Sequence, residues 1–491
     1  MPSDLRIIEH PILDFKRTRK ISFFFENQVI EAYEGESILA ALYAAGVRIF
    51  SFSENGVGRG LFCSIGRCSS CLAYVNKVPN VRICIEPVRD DIRVERQKGF
   101  PNLPLDTNVN YVRTERVKTD VLIVGAGPAG LKATLTLAEL GFDVTLVNDH
   151  YKLGGQLVKQ THKFFGDKMY YGGIRGFKIA EKLVGEISKF SNVHVYTNAQ
   201  AYGFFDENTI GVAVRGCDEK NLLVKPRAVV VATGAVEKSL LFENNDLPGV
   251  MGAGAAQTLM NEYGVKPGDK AVVIGSGNVG LIISYQLIQA GVNVEAVAEI
   301  MPSIGGWFVH AAKVRRLGVP ILTKHTILRA EGTDRVERAV LSAVDNNFQP
   351  ITGSEKVFNV DLILIAVGLQ PNYSLLYQAG AICKYVAELG GFTPIRTWGM
   401  ETSVPNVFVA GDASGIEEAT TAFIEGEIAA LTIAMKLGFD SNSISRRRSE
   451  LMDFLWNEYR LAPVVERSRI GKLKVTVSEE EMEKIRKGVL Y

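Results

Sequence analysis

The 491-residue sequence carries no surplus of charge, with 55 Lys and Arg against 54 Asp and Glu. Lacking a broad basic field, it excludes nucleic acid and an anionic membrane surface as main partners. The one basic run, Arg446 to Arg448, reads as a solvated helix start. Long apolar runs are missing too. The N-terminal MPSDLRIIEHPILDFKRTRK has none after its charges, and later apolar stretches are short and broken by Gly. Neither a secretion signal nor a membrane span is expected, and a reducing cytoplasm is. The six histidines, His10, His150, His162, His194, His310 and His325, are scattered and form no His/Asp/Ser constellation. His162 alone falls near expected cofactor contacts, and a structural role is expected for it.

What is present is ordinary in bulk and specific in detail. At 47% hydrophobic and 22% charged, the chain can bury several cores, and its length suggests about three domains. Four of the six cysteines crowd into LFCSIGRCSSCLAYVNKVPNVRICIEPV, Leu61 to Val88. In a reducing compartment such cysteines read as metal or cluster ligands rather than disulfides. Cys63, Cys68 and Cys71 follow C-x4-C-x2-C and Cys84 comes later on a strand-like run, the spacing of plant-type [2Fe-2S] ferredoxins. Gly66 gives the first loop a permissive backbone for wrapping a cluster. Zinc is the main alternative, but structural zinc usually pairs two short knuckles and only one exists here. Cys217 and Cys383 stand alone and read as incidental thiols. Before the cysteines, ISFFFENQVIEAYEGESILAALYAAGV predicts a hairpin turning near Glu26 and Asn27 and a helix from near Glu36, the order of a β-grasp domain.

After a linker with two prolines, FPNLPLDTNVN, a buried strand runs into G-x-G-x-x-G at Gly125, Gly127 and Gly130, with Pro128 and Ala129 between them. A helix and a second strand follow, the order of a dinucleotide-binding fold. The glycines let the backbone approach a pyrophosphate, whose charge sits at a helix N-terminus. The arrangement returns at KAVVIGSGNVGLIISYQLIQAGVNVEAVAE, with Gly275, Gly277 and Gly280. Gly125 to Asp149 overlay Gly275 to Glu299 without a gap, which predicts two dinucleotide folds, and the pair resembles the plan of two-dinucleotide-domain flavoproteins, in which the second is inserted into the first. VVVATGA, Val229 to Ala235, and DLILIAVGLQP, Asp361 to Pro371, read as two pieces returning to the first fold, followed by the strand Val407 to Ala410 ending at Gly411 and Asp412. A helix after it could aim its N-terminus at a flavin. The ribose-binding acid normally ends the second strand, a place held on this overlay by Asn148 and Ala298, with Asp149 and Glu299 one residue later. Because Asp412 supports the first site and nothing comparable supports the second, FAD is expected at the first more than NAD at the second, and Glu299 with no Arg directly after it would favour NAD over NADP. The expected class is α/β: a flavoprotein with two Rossmann-like domains and an N-terminal β-grasp [2Fe-2S] domain.

Flavoprotein disulfide reductases share that plan but need a cysteine pair beside the flavin, and neither glycine unit carries one. A dehydrogenase acting directly on an amino acid would need an Arg clamp and a base or Tyr by the flavin, and no such set stands out.

From Arg59 to about Gly438 the chain resembles the α subunits of dye-linked L-proline dehydrogenases and heterotetrameric sarcosine oxidases, and the matching subunits of opine oxidases and hydrogen cyanide synthases. The resemblance rests on RGLFC, the cysteine run, VRIC, the glycine loops, LPGVMGAGAAQTLMNEYG, LTKHTILRAEG and GGFTPIRTWGMETSVPNVFVAGDASG. It implies FAD contacts at Gly155, Gln156, Thr233, Gly234, Gly411 and Thr420, with Asp412 on the ribityl chain. It also implies a hetero-oligomer, in which a partner β subunit with its own FAD oxidises the amine, an FMN can lie at the subunit interface, and small accessory subunits can join. The implied division is residues 19–97 for the cluster domain, 98–117 for the linker, 118–236 and 360–438 for the FAD domain, 237–359 for the inserted domain and 439–491 for a tail. The last fifty residues contain no cysteine, unlike many relatives, and Trp456, Tyr459 and Leu461 are expected to pack this tail on its own chain. The expected role is electron transfer from the partner through FAD and cluster to an external acceptor. The alternatives are a stand-alone NAD(P)H:acceptor oxidoreductase and a scaffold holding an adenine nucleotide for structure.

Overall fold

The computed structural model describes residues 4–103, 112–165, 170–205, 209–216, 218–439, 441–462 and 465–489. Cys217 and residues 104–111 of the expected linker lie outside them. The chain forms two compact units, Met1–Asn108 with Glu237–Gly368, and Val109–Val236 with Leu369–Tyr491.

The first unit begins with the expected hairpin. Strands Lys20–Phe25 and Gln28–Tyr33 pair antiparallel, and Glu26 and Asn27 both take positive φ (49° and 65°), as a two-residue primed turn requires. The helix is Ile38–Ala44, entered through Ser37, whose hydroxyl accepts from the Ala40 N–H at 3.1 Å. Every residue of that helix is buried, because it packs between its own sheet and the inserted domain. One apolar core runs through both parts, from Phe23 and Leu39 to Leu259 and Leu281.

The inserted domain has a five-stranded sheet in the order Val250–Gly252, Leu362–Ile365, Lys270–Ile274, Asn293–Glu299, Ile321–Thr323, all parallel. Here the structure corrects one expectation. DLILIAVGLQP does not return the chain to the first fold; its strand Leu362–Ile365 pairs with Lys270–Ile274 in the register Ala271 to Leu362 through Ile274 to Ile365. An apolar strand ending in Ala-x-Gly closes over each glycine turn, and this one serves its own domain. A Cβ on Gly275 would meet the Ala366 carbonyl oxygen at 2.3 Å, as one on Gly125 would meet that of Ala232 at 2.3 Å.

The second unit is built on a seven-stranded sheet. Its order is Val193–Tyr196, Val144–Val147, Arg113–Val124, Lys220–Val231, Ile210–Val214, Ala199–Phe204, with Val407–Val409 also paired to Lys220–Val231. Helices Pro128–Glu139 and Ala419–Lys436 pack so closely that a Cβ on Gly426 would lie 2.2 Å from the Ala129 carbonyl oxygen. The tail docks on this unit. Trp456 packs edge-on against Trp398 at 4.7 Å between ring centroids, and Tyr459 hydrogen-bonds Glu418, whereas Leu461 stays 53% exposed and docks nothing. The basic run is only partly solvated. Arg446 pairs with Glu450 on the surface, but Arg447 and Arg448 reach back to Glu427 and the Thr432 hydroxyl at 2.9 Å each, tying Asn442–Asp453 to the helix before it. Among the described residues no helix is long and apolar enough to cross a membrane.

Candidate functional site

Three candidate sites emerge, and the cysteine loop is the first. The thiols are linked in sequence: Cys63 contacts Cys68 and Cys84, and Cys84 contacts Cys71. Those contacts lower the Cys63 thiol, with Cys68 its largest cause, and raise those of Cys68 and Cys84 through Cys63. The four thiols form one contact chain, Cys68 to Cys63 to Cys84 to Cys71, an all-thiolate donor set that fits a two-iron cluster. The Arg67 and Cys68 N–H groups both point at Cys63 Sγ at 3.4 Å, the polarity a thiolate ligand requires. Gly66 (φ +70°) is needed at this bend, since a Cβ there would lie 2.7 Å from Ile85. Cys71 and Cys84 are buried and Cys68 is exposed. The loop leans on the inserted domain: the Gly252 N–H donates to the Phe62 carbonyl at 2.9 Å, and a Cβ on Gly60 would meet Pro248 Cα at 2.8 Å.

The two glycine turns are built alike. A Cβ on Gly130 or Gly280 would strike the carbonyl oxygen of Gly125 or Gly275 at 1.8 and 2.0 Å, so only glycine lets helix and turn close. A Cβ on Gly127 or Gly277 would meet nothing within 4 Å, which leaves open space in front of helices Pro128–Glu139 and Asn278–Gln289. Neither helix has a side-chain cap. Free N–H groups facing open space fit a pyrophosphate. A Gly-Gly pair covers each turn: a Cβ on Gly155 would lie 2.7 Å from Gly127 Cα, and one on Gly306 would lie 2.8 Å from the Asn278 nitrogen. Gln156 follows the first pair and is exposed.

The ribose positions differ from the gapless overlay. In the first turn Asn148 Oδ1 accepts from the Ala126 N–H at 3.2 Å, while its amide donates to the His150 and Lys152 carbonyls at 2.9 Å each. In the second turn the equivalent partner, the Ser276 N–H, donates to Glu299 Oε2 at 2.9 Å. Glu299, not Ala298, therefore ends the second strand. The cause is a bulge: Ala271 pairs with Val294 and Val272 with Ala296, so Asn293–Glu299 holds one extra residue and every later position slips by one. Glu299 is 8% exposed, and its other oxygen accepts from the Met301 N–H at 2.9 Å. Asp149 is exposed beside the first turn.

Around the first turn the remaining expected residues gather in the second unit. Thr233 Oγ1 donates to the Asn372 carbonyl at 2.8 Å, and the Gly234 carbonyl accepts from the Asn372 N–H at 2.9 Å. Asp412 follows Gly411 (φ +71°) and accepts from the Glu417 N–H at 3.2 Å. Burial pushes its carboxyl up to about 6. The helix after it begins only at Ala419, and its first turn is already capped by Glu418, so the expected free N-terminus is not there. Thr420 is fully buried against that cap, donating to Glu418 at 3.3 Å.

Sequence reasoning missed a buried ionic network beside Asp412. Glu425 Oε1 meets Arg460 at 2.7 Å, Lys472 at 2.8 Å and Arg396 at 3.3 Å, and its Oε2 accepts from the Gly411 N–H at 3.0 Å and Ser414 Oγ at 2.6 Å. Arg460 also pairs with Glu417 at 2.9 Å. Burial alone would raise the Glu425 carboxyl; Lys472, Arg396 and Arg460 hold it below the usual carboxylate range. The turn carrying Asp412 is thus clamped by two cations from the tail. Glu425 and Glu427 inside the apolar run ATTAFIEGEIAALTIA were the available signal. His162 takes a structural part, its Nδ1 accepting from the Phe164 N–H at 3.2 Å. Cys383 is half-buried, its thiol pushed up to about 11 by burial.

Residues 119–426 match the pyridine nucleotide-disulphide oxidoreductase family, and residues 18–99 the 2Fe-2S iron-sulfur cluster binding domain. The chain is 23% identical over 461 residues to the alpha subunit of the sarcosine oxidase of Corynebacterium sp. (strain P-1), covering 88% of this chain and 45% of that one. It is 26% identical over 358 residues to one of the subunits of the opine oxidase of Agrobacterium tumefaciens (strain Ach5), covering 68% and 70%. It thus spans less than half the length of that sarcosine oxidase chain. Among solved structures it is similar to L-proline dehydrogenase from P. horikoshii, with a TM-score of 0.67, 27% identity, and 90% of this chain and 79% of that chain covered.

Proposed function

The chain belongs to the pyridine nucleotide-disulphide oxidoreductase family, and from that premise we propose that it is the electron-transferring subunit of a heteromeric amine or amino-acid dehydrogenase of the proline or sarcosine type. Cys63, Cys68, Cys71 and Cys84 would hold a [2Fe-2S] cluster. Gly125, Gly127, Gly130, Gly155, Thr233, Gly234 and Asp412 would hold FAD in the second unit. Gly275, Gly277, Gly280 and Glu299 would hold NAD or another adenine nucleotide in the first. Bound flavin supplies the step between two-electron and one-electron chemistry, and the cluster carries single electrons. A partner β subunit with its own FAD would oxidise the amine, an FMN could sit at that interface, and an external acceptor would take the electrons.

The observation that carries this reading is the pairing of cluster loop and dinucleotide domain in one compact unit, with no cysteine pair in either glycine unit. Such a chain is equipped to pass electrons and not to exchange disulfides. The names of the relatives, subunits of sarcosine and opine oxidases, support a hetero-oligomer. Glu299 at the strand end favours a second reading, a NAD(P)H:acceptor oxidoreductase, because a carboxylate there is suited to a ribose diol. The deciding test is the absorption spectrum of the purified chain under anaerobic titration with NADH, with released nucleotides identified. Flavin and cluster bands bleached by proline or sarcosine only when a partner is present support the electron-transferring role; full bleaching by NADH alone replaces it with the reductase.

A further inference from the structure

Electrons that leave through the cluster must leave at its solvent edge, and that edge is basic. From Arg59 to Cys84 the chain carries Arg59, Arg67, Lys77 and Arg82 and not one Asp or Glu. Arg59 is matched by Asp246 at 3.0 Å. Arg67 and Arg82 are not matched. Both are exposed, no ion pair reaches the Arg67 guanidinium among the described residues, and Arg82 has only the Ser69 hydroxyl at 3.5 Å. They flank Cys68, the one exposed thiol of the four, Arg67 as its chain neighbour and Arg82 through Ser69. The nearest carboxylate along the chain, Glu86, is taken by Arg89 at 3.1 Å. In a chain of net charge +1, this local concentration of unpaired positive charge is a feature of the cluster edge, not of the protein as a whole.

We propose that the Arg67–Cys68–Arg82 edge docks a small one-electron carrier protein whose cofactor is rimmed by carboxylates. The proposal rests on the reading that electrons exit by the cluster, and names the class of acceptor at that exit. Positive charge around a redox edge steers an acidic partner to the orientation with the shortest transfer distance and repels a basic one. A cluster held by the four cysteines would supply one electron per encounter to the partner's cofactor, with no bond made or broken and no proton moved, and Arg67 and Arg82 would supply only the orientation.

The test holds the acceptor's cofactor constant and changes only its surface charge. Native cytochrome c is basic, and its succinylated form has the same haem with its lysines converted to carboxylates. The full chain with its cluster, photoreduced by deazaflavin, is mixed with each in stopped flow, and binding of each to the oxidised chain is measured by calorimetry, which needs no turnover. The succinylated form is expected to bind and to react about tenfold faster than the native form at low ionic strength, with the difference lost in about 0.5 M salt. In R82E, which lies outside the loop from Cys63 to Cys71, the advantage of the succinylated form should fall at least about threefold while the cluster's absorption and resonance spectra stay as they were. Equal rates and binding for both forms, or an advantage unchanged in R82E with the cluster intact, would overturn the docking edge alone. A purified chain without cluster absorption would overturn the exit reading as well.

Discussion

At the scale of single residues, Asp412 makes the sharpest claim, because its two roles pull in opposite directions. Burial raises its carboxyl from an ordinary 3.8 to about 6. The folded chain therefore binds this proton more tightly than the unfolded chain, and the stability it contributes is complete below about pH 4 and lost as pH rises through 6. Asp412→Asn removes that loss. The unliganded variant should resist urea better than the parent by about 1–3 kcal/mol at pH 7.5 and equally at pH 4, while retaining less FAD if the carboxylate holds the ribityl chain. Unfolding midpoints at both pH values decide it; no difference at pH 7.5 would mean the native carboxylate carries no penalty. Glu299 makes a second claim. On the proposal that this site takes NAD, Glu299→Gln should weaken NADH binding about tenfold or more and leave the flavin content unchanged, as read by fluorescence titration. Here the sequence was misleading for a physical reason. A gapless overlay assumes equal strand lengths, and the bulge between Val294 and Ala296 adds a residue that no composition rule marks. The first and last glycines of each turn, Gly125, Gly130, Gly275 and Gly280, were legible because each is forced locally, by a carbonyl 1.8 to 2.3 Å from where a Cβ would sit.

At the scale of elements, the tail decides how the first nucleotide site is held. Arg460 is 1% and Lys472 0% exposed, and both end on the carboxylates of Glu417 and Glu425. Removing one partner of such a group leaves a buried charge uncompensated, at a cost of about 3–5 kcal/mol. Arg460→Met should therefore lower the thermal midpoint strongly and release nucleotide, and adding Glu417→Gln to it should restore part of the loss. A double variant no more stable than Arg460→Met would show that the Glu417 pair contributes nothing. None of this was legible from the tail. Own-chain packing was expected of the tail only through Trp456, Tyr459 and Leu461; Arg460 and Lys472 drew no expectation, since Arg and Lys are almost never fully buried without partners, and the partners here lie 35 and 47 residues away in sequence. The hairpin, the glycine turns and the packing of Trp456 were legible because local turn chemistry or a large apolar side chain declares them.

At the scale of the whole molecule, the chain order does not follow the division of the fold. The cluster domain and the inserted dinucleotide domain share one unit and one continuous core, although Val109–Val236 of the other unit lies between them in sequence. The return to that other unit comes at Leu369, not near residue 360, because Leu362–Ile365 is held by its ladder to Lys270–Ile274. A consequence follows for metal removal. Four cysteines that hold a cluster only in the folded state add its binding energy to the unit that contains them. Calorimetry of the loaded chain and of the chain stripped by chelator under reducing conditions should therefore show a lowered transition for Met1–Asn108 with Glu237–Gly368. The transition of Val109–Val236 with Leu369–Tyr491 should hold its temperature. Cys84→Ser should reproduce the stripped profile without chelator, since that thiol is buried within the shared core. If stripping moved both transitions together, the two units would melt as one and the cluster would stabilise the whole chain; if it moved neither, the four cysteines would hold no structural metal.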